Sequence, residues 1–399
     1  MRRLYSFLLA LALILSLLGC SSSQPSQQLQ TTFPSIPSAA TEPTPTEPAK
    51  VWYQEGTVQI TAQQVDSIVN GTFEAPKNII LLIGDGMGAN DIAIASRYGT
   101  DNYDFGLVLD RIPHHGLVTT RSASHTITDS AAAGTALATG TKTSNGILGM
   151  DRTWEPLKNI SEIAREQGKK VGIITDDSIT GATPSAFLVH NQSRENYDEI
   201  YTAALEFGPE VYIGKVDFDR YTEAQEKGFN AASRFQQIDY TFSQSADITK
   251  PFVGFNSGYS AHVSNELSQC TQLALNLLDN ENGFFLMVES CGTDKYGHNN
   301  NIKGKMSSVA TLDRTLAAIL LFMEKNPDTL LIITSDHETG GVKMPESADQ
   351  VTDDLFTTEG HTATDVRVFA VGHGSEYFHD KTVDNTDIAK FIIDILNNQ

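Results

Sequence analysis

Three short apolar runs in this 399-residue chain each end in an acidic residue. They are Asn78-Ile-Ile-Leu-Leu-Ile-Gly-Asp85, Phe284-Phe-Leu-Met-Val-Glu289 and Leu330-Leu-Ile-Ile-Thr-Ser-Asp336-His337. A short continuous apolar run reads as a strand buried on both faces of a parallel sheet. In open α/β sheets, ligands bind beyond the carboxyl ends of such strands. Three distant segments therefore deliver carboxylates and an imidazole to one edge. Carboxylates gathered there repel one another unless a positive charge sits among them, and a divalent metal is the simplest source.

Strand candidates alternate with helix candidates from about Val51 onward, the pattern of a parallel sheet covered by helices. Lys158 to Gln167 carries Ile160, Ile163 and Ala164 with Gly168 as its C-terminal stop, and Val171-Gly-Ile-Ile-Thr175 follows as a strand. Met306 to Lys325 has apolar residues at helical spacing and leads into the run ending at Asp336. Thr386 to Leu396 closes the chain as an amphipathic helix. Phe207 to Ser257 shows a helix around Thr222 to Gln237 but no strong strand series, and reads as an insertion or variable segment.

The amino terminus lies outside this fold. Met1-Arg-Arg precedes an apolar stretch, Leu8 to Leu18, too short to span a bilayer and shaped like a secretory leader. It ends Leu17-Leu18-Gly19-Cys20, which resembles a bacterial lipobox, so residues 1–19 are expected to be removed and Cys20 lipidated. Residues 20–50 are rich in Ser, Gln, Thr and Pro and read as a disordered tether. Two cysteines remain, Cys270 and Cys291, which in an exported protein are either a disulfide or two free thiols. The net charge of −21 and the lack of a Lys/Arg cluster exclude nucleic-acid binding through a basic face.

Further segments bear chemistry. Ser130-Ala-Ala-Ala-Gly, after Thr128-Asp129, looks like a helix N-terminus, where free N–H groups favour a bound phosphate. Read alone, Ser130 is more simply an N-cap; the run of small residues after it, suited to close packing around an anion, weighs the other way. Asp294 and His298 stand four residues apart, on one face of a helical turn, as two ligands of a zinc ion often do. Asp336-His337 adds a second Asp/His pair at a strand end.

Taken in order, Ile83-Gly-Asp85-Gly-Met-Gly88, Thr128-Asp-Ser130-Ala-Ala, Ala182-Thr183-Pro184 with Ser193-Arg194, Glu289 to His298, Ser335-Asp-His337 and Gly360-His361-Thr362 resemble the motifs of alkaline phosphatases. The resemblance implies an α/β three-layer sandwich over residues 51–399, with a largely parallel central sheet and a metal site at the C-terminal ends of its strands. It implies two Zn²⁺ and one Mg²⁺. Asp294, His298 and His361 would hold one zinc; Asp85, Asp336 and His337 the second; Asp85, Thr183 and Glu289 the magnesium. Ser130 would be the nucleophile, with Arg194 and Lys295 binding the phosphate.

The implied function is hydrolysis of small phosphate monoesters through a phosphoserine, by an exported, lipid-anchored enzyme at a membrane or cell surface. The alternatives are a sister hydrolase of phosphodiesters, phosphonates or sulfate esters, and a non-catalytic lipoprotein that captures phosphate or metal. Two departures stand out. Gly181 takes a place where better-known relatives have Asp or His beside magnesium, which puts magnesium affinity in doubt. The segment Val342 to Glu359 is short, leaving a reduced crown, a more open site and a weaker case for the homodimer common in the family.

Overall fold

Each of the three apolar runs forms a strand with every residue buried. The computed structural model describes residues 56–215, 218–232, 252–255 and 265–398. The leader 1–19, Cys20, the tether 20–50 and the far end of the helix expected over Thr222–Gln237 lie outside these residues.

In chain order the strands are β1 (Asn78–Gly84), β2 (His114–Thr119), β3 (Lys170–Ser178), β4 (Val211–Lys215), β5 (Asn230–Ala232), β6 (Phe252–Phe255), β7 (Phe284–Ser290), β8 (Thr329–Thr334), β9 (Glu338–Thr339), β10 (His361–Thr362), β11 (Val366–Val371) and β12 (Thr382–Asp384). Among the described residues, ten of them make one sheet in the order β12-β2-β11-β8-β1-β7-β3-β4-β6-β5, and β9 pairs with β10. Every pairing in the large sheet is parallel except those of β11, which runs antiparallel to both neighbours. Parallel neighbours need crossover connections, and helices supply them.

Side chains alternate across a strand, and here both faces are covered. Ile80 and Leu82 point into the layer that holds the helices Ala62–Val69, Glu266–Leu278 and Ile302–Met323. Ile79, Leu81 and Ile83 point into the layer of Ser130–Thr139, Ile160–Glu166 and Asn385–Asn397. The result is the expected three-layer sandwich. Helix Ile302–Met323 is long and apolar enough to cross a bilayer by composition, yet most of it is buried against the sheet. Its apolar surface follows from that position in the core.

Register places the site. Ile83 is level with Glu289 on β7 and with Thr334 on β8. Asp85, Glu289 and Asp336 therefore emerge within two residues of one level. Gly86 makes the turn after Asp85 at φ 68°, where a Cβ would come within 2.6 Å of the Asp294 Cα. Only glycine lets the two segments approach so closely.

Two expectations need correction. Phe207–Ser257 is more than an insertion or variable segment: β4, β5 and β6 extend the sheet, and the helix there is Phe218–Glu226 rather than Thr222–Gln237. These strands are three to five residues long, too short for periodicity to reveal. The long helix starts at Ile302, four residues before Met306, because the Asn301 side chain caps it by accepting from Gly304 N. Cys270 and Cys291 are both buried free thiols, so the disulfide alternative is not realised.

Candidate active site

Ser130 is the first residue of a helix whose N-cap is Asp129, not Ser130. One Asp129 oxygen accepts from Ala132 N at 3.0 Å. The other accepts from Gly146 N and from Arg194 Nη1, at 3.0 and 3.1 Å. With the cap taken by its neighbour, the Ser130 hydroxyl is free to face the sheet edge, 3.2 Å from His337 Nε2. Gly134 on the same helix lets it pack closely on the short helix Ala182–Ala186, since a Cβ would lie 3.3 Å from the Thr183 Cα. Small residues in the helix thus bring Thr183 beside Ser130.

The histidines and carboxylates fall into two abutting groups. His298 Nε2 and His361 Nε2 lie 3.2 and 3.4 Å from Asp294 Oδ1, and 3.2 Å from each other. His337 Nε2 lies 3.2 Å from Asp336 Oδ2 and 3.5 Å from Asp85 Oδ1. The His337 and His361 rings stack at 3.6 Å, which joins the groups. Ligand atoms of Asp85, Asp336 and His337 lie within 4.8 Å of one another, as do those of Asp294, His337 and His361.

Each histidine is oriented through its other nitrogen. His361 Nδ1 donates to the Thr128 carbonyl at 2.9 Å, and His298 Nδ1 donates to the Glu359 carbonyl. His337 Nδ1 lies 3.2 Å from Thr339 Oγ1, which donates to Asp294 Oδ1 at 2.7 Å. All three rings therefore present Nε2 to the carboxylates. Metal-ligating histidines have this arrangement.

The third expected group, Asp85, Thr183 and Glu289, offers oxygen only, and its members line one pocket. Thr175 donates to Glu289 Oε2. Asp85 Oδ1, Asp336 Oδ2 and Thr183 Oγ1 are buried and make no hydrogen bond among the described residues. Unsatisfied buried oxygens of this kind are costly unless something binds them. Burial is the main cause that pushes Glu289 up to about 8 and Asp336 up to about 6. Burial, followed by the charges of Asp336, Asp294 and Glu289, holds Asp85 well above the usual carboxylate range. Burial also opposes ionisation of Asp294, but hydrogen bonds from His298 and His361 prevail and hold it well below that range. Carboxyls crowd the cluster, and the mixed His/carboxylate groups and the oxygen-only group suit divalent cations of two kinds. The residues therefore fit the metals that the sequence led us to expect.

A pocket of about 280 Å³ opens beside this cluster and brings Asp85, Ser130, Thr183, Arg194, Glu289 and Lys295 together. Five of the expected ligands, Asp294, His298, Asp336, His337 and His361, lie outside its lining. Lys295 pairs with Asp177 Oδ2 at 2.9 Å and lies 3.9 Å from Asp294 Oδ2. Burial works against its charge, but Asp177 and Asp85 prevail and raise its pKa above the ordinary lysine value.

Asp177 was missed in the sequence, although the signal was there. Val171 to Thr175 is a fourth apolar run ending in acids, Asp176 and Asp177. Asp176 accepts from Cys291 N at 2.6 Å and braces the end of β7, while Asp177 faces the pocket. Gly181 lines the same pocket without a side chain, and Asp177 brings a carboxylate there from another position. Asp129 and Thr339 were also missed as partners of Arg194 and Asp294. Single polar residues in loops have no pattern that marks them.

A family model described as Alkaline phosphatase matches residues 76–213 and 259–352 of the chain. Alkaline phosphatase 4 of Bacillus subtilis is 33% identical over 66% of this chain, and the chain spans 62% of that relative's length. The alkaline phosphatase of Escherichia coli is 28% identical over 84% of this chain and 85% of its own. Among solved structures, a variant of the alkaline phosphatase from the Antarctic bacterium TAB5, with magnesium bound in its M3 site, superimposes with a TM-score of 0.69. It is 29% identical and covers 82% of this chain and 99% of that one.

Proposed function

The chain belongs to the alkaline phosphatase family, and on that premise we propose that it is a metal-dependent phosphomonoesterase acting through a phosphoserine on Ser130. One observation carries the reading: the Ser130 hydroxyl stands at a helix N-terminus, 3.2 Å from His337 Nε2, in a pocket shared with Arg194 and Lys295.

Asp294, His298 and His361 would hold one Zn²⁺, Asp85, Asp336 and His337 a second, and Asp85, Thr183 and Glu289 a Mg²⁺. When bound, these cations supply the positive charge that favours a deprotonated serine oxygen and offsets charge developing on the leaving oxygen. The chain's own groups do the rest. Arg194 offers a planar fork to two non-bridging phosphate oxygens, and Asp129 holds that fork in place. Lys295 adds a second cation on the same side. Ser130 Oγ attacks phosphorus in line, its proton leaving to solvent. The bond from Oγ to phosphorus forms as the ester bond breaks, and the alcohol departs with a proton from water. Water then cleaves the phosphoserine, freeing phosphate and returning a proton to Ser130. Little covalent work falls to the protein, so positioning and electrostatics dominate.

Substitution Ser130→Ala tests this reading. Phosphate release from a simple aryl phosphate, with Zn²⁺ and Mg²⁺ supplied at alkaline pH, should fall by roughly 10³-fold or more. Turnover within tenfold of the unmodified protein would remove Ser130 as nucleophile. The oxygen-only group of Asp85, Thr183 and Glu289 favours monoesters over the diester, phosphonate or sulfate alternatives. Faster release from a diester than from a monoester would reverse that preference.

The reading includes export and anchoring through a lipid on Cys20, with residues 20–50 as the tether. Cys20→Ser should move the protein from the membrane fraction to the soluble one. Unchanged membrane association would refute the anchor.

A further inference from the structure

We propose that Tyr197 is a specificity-determining residue that favours phosphate monoesters whose leaving group carries an aromatic ring, by packing against that ring at the pocket mouth. The inference rests on the phosphomonoesterase reading and extends it to a class of substrate.

The pocket beside Ser130 is polar almost throughout. Among the described residues lining it, Tyr197 is the only aromatic; the others are charged, hydroxyl-bearing, glycine or alanine. The polar part suits phosphate oxygens, and among the described residues Tyr197 offers the aromatic surface for the organic part of an ester. Tyr197 is 45% exposed, so part of its ring is open to a ligand entering the pocket. Its phenol donates to Glu195 Oε2 at 2.6 Å, so the ring is held at its polar end.

The backbone that carries it is also held. Asn191 exchanges backbone hydrogen bonds with Leu148, both at 2.9 Å. The Asn191 side-chain oxygen accepts from Ser193 N and Asn196 Nδ2, at 3.0 and 2.9 Å. Arg194, three residues before Tyr197, is tied to Asp129 and so to the helix of Ser130. A ring fixed in advance costs little entropy when a ligand packs on it. Aromatic contacts prefer offset or edge-on geometry, which a ring at a pocket mouth accommodates.

The same contact serves a ring bonded directly to the ester oxygen or the base of a nucleotide. The test compares kcat/KM for phenyl phosphate, adenosine 5′-monophosphate and glycerol phosphate, with metals supplied. The unmodified protein is compared with Tyr197→Ala, Tyr197→Phe and Trp154→Ala. Trp154 is also exposed, at 55%, but lies outside the pocket lining.

In Tyr197→Ala the ratio of kcat/KM for the aromatic ester over glycerol phosphate should fall by about three- to tenfold, mostly through KM. Tyr197→Phe should keep most of the ratio, because the ring remains and only its bond to Glu195 is lost, and Trp154→Ala should not move it. A fall with phenyl phosphate alone assigns the contact to aryl esters, and a fall with the nucleotide alone assigns it to the base. A ratio unmoved for both overturns the proposal while leaving the phosphomonoesterase reading in place. Failure of the unmodified protein to hydrolyse any of the three esters overturns both.

Discussion

Thr339 shows how residues outside the proposed ligand set can orient those within it. Its hydroxyl donates to Asp294 Oδ1 and meets His337 Nδ1, so one side chain orients a member of each group. Its carbonyl accepts from Lys305, whose fully buried ammonium pairs with Asp91 at 2.7 Å. Groups that orient ligands in this way typically change metal affinity by about 10- to 100-fold when removed. Thr339→Val keeps the shape and loses the hydroxyl. We expect at least tenfold weaker retention of zinc in competition with a chromogenic chelator. Equal retention would show that the ligands hold their positions without it. Asp294, His298, Asp336 and His337 stood out in the sequence because Asp and His recur at ligand spacing, and the structure brings them together. Thr339 was not, since a threonine two residues after a histidine has no distinguishing chemistry until the loop folds.

Helix Ile302–Met323 holds a turn of its own layer through the same kind of buried polar group. Asp313 on this helix accepts from Val108 N and Leu109 N, both at 2.9 Å, and so anchors the 3₁₀ turn Leu109–Arg111. Burial pushes Asp313 up to about 7, against 3.8 for an unperturbed aspartate. The folded protein therefore keeps a proton that the unfolded chain has already released. Stability from this group falls as pH rises from about 4 to about 7, and levels off above that. Asp313→Asn has no proton to lose. With metals saturating, the drop in Tm between pH 5 and pH 8 should be smaller in the variant. An equal drop in both proteins would exclude Asp313 as the cause. The long elements were legible for a physical reason: the strands are buried on both faces and the helices carry strong apolar periodicity. The short strands β4, β5 and β6 offered neither length nor alternation.

Across the whole molecule, the fold collects acidic groups in a chain that already carries a net charge of −21. Buried carboxyls at Asp85, Glu289 and Asp336 oppose folding unless cations bind them. Cations that bind only the folded state raise its stability, by about 2.7 kcal/mol at 100 times Kd. Chelation should therefore lower Tm by several degrees, and Zn²⁺ with Mg²⁺ should restore it. A Tm that ignores both would remove the carboxylate cluster as a cation site. The amino-acid sequence alone determined the parallel layered architecture, the edge at which the site lies and the types of ligand it offers. Those properties follow from local periodicity and from what stands at each strand end. Only the tertiary structure decided that Asp129 rather than Ser130 caps the helix, that Asp177 reaches Lys295, and that one tyrosine lines a polar pocket. Each depends on strand order and loop packing between segments far apart in the chain, and local pattern carries no record of those contacts.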